Sequence, residues 1–313
     1  MSFEPWYTPD MSLERRPAIT ITTPTDFSLF ETLHSHGWRH LLPFYPNDST
    51  NSIARIQRLG SGTVVRISVA DGPASNLTVE ADGGTPDEVE GIIRRILQLD
   101  RSLSDFHEYC SATPGLARIS LARQGRMLCS PTLFEDCLKV ILTTNTTWAQ
   151  TKGMVKRLVD AYGSPWPTDP TLKAFPTPEQ IAAVPVDDFA ATVRAGYRAQ
   201  SLHGLAVDVA EGRTDLDALR DPSLTSDDVL KRLLALRGIG PYGAACLLLY
   251  LGRGDRVNVD SWARTLVGQE LGRKVTDKEV VAFFEPHGKW RGLVYSFYPW
   301  KERGAGATAD VAA

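Results

Sequence analysis

The chain has 313 residues, 42% of them hydrophobic and 23% charged, with a formal net charge of −3 at pH 7. That size and apolar content mark a soluble globular protein with room for two domains, and no apolar run approaches the ~20 residues that a membrane-crossing helix needs. Met1 to Asp10 carries two carboxylates and no basic segment of a secretion signal, so a cytoplasmic location is expected, at the nucleoid if the source is bacterial.

In chain order, turn-forming breaks at Pro43, Pro46, Asn47-Asp48 and Asp71-Gly72-Pro73 surround the stretch Thr63 to Val69. There Val65, Ile67 and Val69 alternate with polar neighbours, the period of an antiparallel sheet. Thr85-Pro86-Asp87-Glu88 then reads as a capping box with proline in the first turn. Val89, Ile92, Ile93, Ile96 and Leu97 form one apolar face of the helix that it opens. Residues 1–105 are therefore expected to form an α+β domain built on an antiparallel sheet.

Past about Asp105 the pattern turns mainly helical, with further capping boxes at Thr177-Pro178-Glu179-Gln180, Thr225-Ser226-Asp227-Asp228 and Thr276-Asp277-Lys278-Glu279. Residues 106–301 are expected to form a mainly α-helical domain, and 302–313 a flexible Gly/Ala-rich tail. Cys110, Cys129, Cys137 and Cys246 are too scattered for a disulfide framework or a paired zinc site. Buried, reduced thiols are expected, with no metal and no cofactor.

Leu236 to Arg264 is the densest stretch. Gly238 and Gly240 sit between the apolar runs Leu233, Leu234, Leu236 and Ala244 to Leu251, which spells a helix, a tight hairpin and a second helix. Glycine supplies the backbone angles of such a hairpin, and the second helix opens with unpaired N–H groups and a positive dipole end that suit a phosphate. About twenty residues on, after Gly252 and Gly254, an extended Val257-Asn258-Val259 presents Asp260. An aspartate there can cap the helix beginning at Ser261-Trp262-Ala263, supply a reactive carboxylate, or do both. Between Lys231 and Lys301 there are 12 Lys plus Arg against 6 Asp plus Glu, so the positive charge of an otherwise acidic chain gathers around the hairpin.

The Leu236-Arg237-Gly238-Ile239-Gly240 and Val257-Asn258-Val259-Asp260 motifs, at this spacing, resemble those of the helix-hairpin-helix DNA glycosylase superfamily (HhH-GPD). Ser130 to Leu158, Phe175-Pro176-Thr177-Pro178 and Ala195-Gly196-Tyr197-Arg198-Ala199 match further elements in the same order, over roughly Cys129 to Trp300. His36-Gly37-Trp38 and Leu42-Pro43-Phe44 more loosely resemble the small sheet domain of the 8-oxoguanine and alkylpurine branches. The resemblance implies an α+β N-terminal antiparallel sheet domain followed by a mainly α-helical glycosylase domain. It also implies double-stranded DNA with a damaged or modified base as the partner, a protein that works as a monomer, and no membrane. Some members carry an iron–sulfur cluster on C-terminal cysteines; with none after Cys246, no cluster is expected.

The implied chemistry is hydrolysis of an N-glycosidic bond, with positive charge on the deoxyribose stabilised by Asp260 and the base extruded from the duplex. By position, Asn145 matches the residue that fills the vacated space, and Tyr197 and Arg198 match residues set against the orphaned base. On their own, these three read as a loop polar group, a partly buried ring and a surface charge. Gly238, Gly240 and Arg264 are assigned to phosphates, while Tyr242 and Tyr295 are assigned to the base pocket. Tyr295, Phe297, Tyr298 and Trp300 can stack on an electron-poor base or simply pack the core.

Members that also cleave the strand place a lysine two residues after the second hairpin glycine. Here that residue is Tyr242, which cannot form a Schiff base. Lyase activity would need another lysine, such as Lys139, Lys152 or Lys289. The reading is therefore a monofunctional glycosylase for an alkylated or oxidised purine. The alternatives are a noncatalytic binder of damaged DNA using the same hairpin, and a nucleotide- or sugar-processing hydrolase, for which no dedicated phosphate loop is present.

Overall fold

The computed structural model describes residues 18–300, so the expectations for Met1 to Asp10 and for the tail at 302–313 lie outside the described residues. Five strands, β1 (Ala18–Thr22), β2 (Phe44–Asn47), β3 (Ser52–Arg58), β4 (Val64–Asp71) and β5 (Asn76–Ala81), form one antiparallel sheet in the order β1-β5-β4-β3-β2. The alternation in β4 sends Val65, Ile67 and Val69 into the core, and β3 pairs with it so that Ile53 faces Val69 and Arg55 faces Ile67. Helix α1 (Leu29–Leu33) precedes β2, and α2 (Pro86–Ile96) follows β5. The α2 face formed by Val89, Ile93 and Ile96 is buried in the same apolar cluster as the inward residues of β4.

The expected box at the start of α2 forms only in half. Thr85 caps the Glu88 N–H, but the Glu88 carboxylate accepts from the Gly60 N–H at 2.8 Å instead of from Thr85. Glu88 thereby ties the helix to the turn after β3. The three later boxes are complete, with Gln180, Asp228 and Glu279 each returning a bond to the capping threonine's own N–H.

The rest of the described chain is mainly helical: α3 (Ser104–Ala112), α4 (Ala117–Leu121), α5 (Leu133–Thr143), α6 (Trp148–Tyr162), α7 (Pro178–Ala182), α8 (Val186–Val193), α9 (Arg198–Ala210), α10 (Ser226–Leu234), α11 (Pro241–Tyr250), α12 (Ser261–Leu271), α13 (Asp277–Phe284) and α14 (Arg291–Phe297). Helix α5 is buried along its whole length and α11 is buried from Gly243 onward, so these two form the centre of the helical part. The α5 C-terminus leads into Asn145, and the α11 N-terminus is the far side of the glycine hairpin.

Sheet and helices are joined by one continuous apolar core and by a buried polar seam. Arg55 of β3 reaches Glu135 of α5 with both guanidinium nitrogens, at 3.0 and 2.5 Å, and Lys139 lies 2.7 Å from the same carboxylate. Beside them the Trp38 indole donates to Asp136 at 2.8 Å. Burial alone would raise Glu135, but Arg55 and Lys139 overcome it and bring its pKa down to about 2. All four cysteines are buried without disulfides. No helix among the described residues is long and apolar enough to cross a membrane.

Candidate active site

The hairpin is the turn between α10 and α11. Gly238 has φ +80°, and a Cβ there would lie 2.7 Å from Ser201 of α9 and 3.3 Å from Ile141 of α5. It therefore needs glycine both for its left-handed backbone and for its close packing. Gly240 departs from the expectation. It is the extended N-cap of α11 at φ −96° and ψ −175°, and a Cβ there would meet nothing within 4 Å. Neither backbone strain nor packing asks for glycine at that position; what its missing side chain leaves is open space at the end of α11. No side chain caps that end, and Pro241 occupies the first turn, so the first N–H groups of α11 have no capping side chain.

One turn into α11, Tyr242 and Cys246 share a face by their spacing of four. The segment after α11 has no regular structure, and α14 pins it: the Gly292 N–H donates to the Gly254 carbonyl at 2.8 Å, and a side chain on Gly292 would collide with the Arg256 carbonyl. Asn258 comes back to Cys246, its amide nitrogen 3.6 Å from the sulfur, while its buried carbonyl oxygen has no hydrogen-bond partner. Two residues on, Asp260 caps α12 by accepting the Ala263 N–H at 2.7 Å. The cap is therefore present, and the same carboxylate is one of the groups that raise the Tyr242 phenol.

Burial raises the Asp260 pKa above its usual 3.8, and the N–H groups of Ala263 and Trp262 only partly offset this. Cys246, burial and Asp260 together hold the Tyr242 phenol well above its usual value, and burial pushes the Cys246 thiol up to about 12. The site thus sets one carboxylate near neutral Tyr242 and Cys246, with the Arg264 guanidinium also acting on it. That is an environment in which a positive charge developing nearby gains the most from the carboxylate.

The gap-filling candidates lie on the adjoining edge, because Ile141 and Ser201, which hold Gly238, are each about one turn from Asn145 and from Arg198. Asn145 is exposed, left-handed at φ 47°, and its amide donates to the Tyr197 hydroxyl at 3.1 Å. Tyr197 is 68% exposed, not partly buried. Arg198 corrects both of its expected roles: it is only 7% exposed and its guanidinium is engaged by backbone carbonyls, so it is neither a surface charge nor available to an orphaned base.

Other assignments also change. Arg264 is ion-paired with Asp277 at 2.6 Å, Arg237 with Asp208 at 2.8 Å and Arg273 with Glu279 at 2.6 Å, so each of these cations already has a counter-charge, and Asp208 is one from outside the 231–301 stretch. Tyr295 is buried at 6% exposure, edge-on to Phe284 and Trp300, and Phe297 and Trp300 are buried too, so these rings pack in the core. Lys139 is fully buried in its ion pair, while Lys152 and Lys289 are exposed. A groove of about 740 Å³ between Arg58, Thr132 and Phe175 contains none of the candidate residues.

Cys246, Asn258 and Trp262 are neighbours of Asp260 to which the motif reading gave no place in the site. The first two were legible in principle, from the i, i+4 spacing to Tyr242 and from the two-residue period of the extended segment. The exposure of Trp262, at 41%, depends on tertiary packing.

The model of the HhH-GPD superfamily of base excision DNA repair proteins matches residues 138–281, from α5 into α13. A DNA-3-methyladenine glycosylase of Bacillus subtilis (strain 168) is 26% identical over 224 residues, covering 69% of this chain and 72% of that protein. Among solved structures, the Clostridium acetobutylicum 8-oxoguanine glycosylase/lyase in its apo form superposes with a TM-score of 0.71 at 19% identity, covering 92% of this chain and 98% of the other. The Archaeoglobus fulgidus 3-methyladenine DNA-glycosylase gives 0.66 at 17% identity, with 90% and 97% covered. The five-stranded sheet followed by a helical domain is thus the fold of these glycosylases.

Proposed function

We propose, for a chain that belongs to the HhH-GPD superfamily of base excision DNA repair proteins, the activity of a monofunctional DNA glycosylase: it extrudes an alkylated or oxidised purine from duplex DNA and hydrolyses the N-glycosidic bond. The observation that carries this reading is the Asp260 carboxylate, held in place as the cap of α12 where the chain returns from the glycine hairpin. Burial and the helix cap hold the carboxylate where its charge acts strongly, and the residue two after the second hairpin glycine is a phenol that cannot form an imine.

In this mechanism the uncapped N–H groups of the hairpin grip a phosphate, Asn145 and Tyr197 occupy the space that the base vacates, and Asp260 stabilises the cationic sugar while a water attacks C1′. Neutral Tyr242 and Cys246 suit the face of a purine better than a charged group would. The protein acts as a monomer on cytoplasmic DNA, in a bacterium that of the nucleoid.

The test is base release from duplexes that each carry one modified purine. A free base and an abasic strand that breaks only in alkali are expected, with no adduct trapped by borohydride. Efficient trapping would overturn the monofunctional reading, and tight binding of damaged duplex without release would select the noncatalytic one.

A further inference from the structure

Arg198 heads α9 directly behind Tyr197, and its guanidinium makes a set of contacts that leaves it little to offer DNA. Nε donates to the Thr144 carbonyl at 3.0 Å and to the Thr144 hydroxyl at 3.3 Å. One terminal nitrogen donates to the Ala195 carbonyl at 3.3 Å, and the other to the Asn145 carbonyl at 3.0 Å and also to that of Thr144. Above this plane lies the Tyr197 ring, with the guanidinium carbon 4.6 Å from its centroid.

Thr144 is the C-cap of α5, so the cation sits where the helix's orphan carbonyls and negative dipole end favour it. The four-residue link 144–147 that begins there is held at its other end as well. Thr147 and Gln150 form the capping box of α6, and the Trp148 indole rests so closely on Gly37, in the segment before β2, that a Cβ on that glycine would come within 2.6 Å of it.

We infer that Arg198 is a positioning residue: it preorganises the exposed Asn145–Tyr197 pair for the space left by an extruded base and does not touch DNA. The inference rests on the proposed role of that pair. Three carbonyls that diverge from one point require a planar fork of donors, which arginine has and lysine lacks. Asn145 gains most from the support, since its left-handed backbone is a conformation that an unrestrained loop leaves easily. The Tyr197 ring, exposed and stacked on the same guanidinium, is set by it from below.

The experiment measures binding to a short duplex carrying one tetrahydrofuran abasic analogue, placed opposite each of the four bases in turn, and to the same duplex intact. If the inference holds, Arg198→Ala and Arg198→Lys both reduce the preference for the abasic duplex by about tenfold. Affinity for intact duplex and its salt dependence stay as in wild type, and adding Arg198→Ala to the Asn145→Ala, Tyr197→Ala double variant causes no further loss.

Additive losses, or a salt slope that falls by about one in Arg198→Ala but is kept in Arg198→Lys, would make Arg198 a phosphate contact and overturn the inference. A wild type that prefers the abasic duplex, with arginine variants that do the same, would overturn it while leaving the Asn145–Tyr197 reading intact; a wild type without preference would sink both. Should the variants not fold, the unaltered protein still decides. With nitrogen-15 arginine labelling, the Arg198 Nε–H should exchange slowly with solvent in the free state and on the abasic duplex, and rapid exchange in the free state refutes the clamp.

Discussion

Asp260→Asn separates the two jobs of one side chain. The cap is a single bond from the Ala263 N–H to the Asp260 carboxylate at 2.7 Å, and asparagine caps helices about as well as aspartate. Stability should therefore change by less than about 0.5 kcal/mol, whereas Asp260→Ala should cost about 1 kcal/mol, or roughly 2–4 °C in Tm. The catalytic side is larger. A full charge about 4 Å from a cationic sugar, at an effective dielectric constant of about 20, is worth roughly 4 kcal/mol, which is on the order of 10³-fold in rate.

The sign of the pH effect follows from burial raising the Asp260 pKa. The folded protein holds this proton more tightly than the unfolded chain. The carboxylate's contribution to stability accordingly falls as pH rises from the ordinary 3.8 through the raised value, and the penalty remains at neutral pH. Asp260→Asn removes that penalty, so at pH 7 it should be no less stable than wild type. Activity runs the other way: release requires the ionised form and declines as pH drops through the raised value. Single-turnover release from a modified duplex, read beside thermal unfolding, checks both. A variant that keeps full activity, or activity losses in Asn and Ala variants that merely follow their Tm, would refute the assignment.

The hairpin glycines should behave differently from one another. Gly238→Val should cost about 2 kcal/mol or more, from a left-handed backbone and a collision with Ser201, whereas Gly240→Val should leave Tm nearly unchanged and weaken binding to all duplexes alike; equal loss of stability at both would contradict the open space at Gly240. Glu135→Gln leaves Arg55 and Lys139 buried without their shared counter-charge and should lower stability by about 3–5 kcal/mol, roughly 10 °C. In the wild type, with Glu135 held at about 2, the stability from this carboxylate should be complete above its ordinary 4.5 and be lost as pH falls toward 2; acid unfolding of wild type and variant with the same pH profile would contradict it.

The local patterns that announced the sheet, the helix starts and the hairpin did so because period and capping act within a few residues. β4 needed only its alternating valines and isoleucine, and three threonine boxes formed as spelled. What failed needed knowledge of partners distant in sequence. Glu88 chose Gly60, 28 residues away, over its own cap. Arg198 looked like a surface charge because its acceptors, the carbonyls at the end of α5, lie more than fifty residues earlier. Lys139 looked like a free amine until Glu135, one turn behind it, and Arg55, from another strand, were placed around it. Gly238 and Gly240 read alike as suppliers of the hairpin's backbone angles, although only Gly238 takes a positive φ.

That Asp260 proves to be a helix cap might be thought to count against a catalytic role, yet the two are physically linked. A carboxylate that must face a developing cation cannot swing freely, and the Ala263 N–H fixes it at the cost of one acceptor site. The helix-end amides also work against burial, which on its own would favour the proton and abolish the useful charge. A buried aspartate without them would be neutral over a wider pH range; an exposed one would be screened by water and act weakly on the sugar. The α12 N-terminus sets Asp260 between those limits, and the glycines at 254 and 292 allow α14 to press that segment into place. Opening that packing with Gly292→Ala, which forces a methyl against the Arg256 carbonyl, should therefore lower the rate of release more than it lowers duplex affinity. An equal fall in both would mean that the segment supports the hairpin rather than the carboxylate.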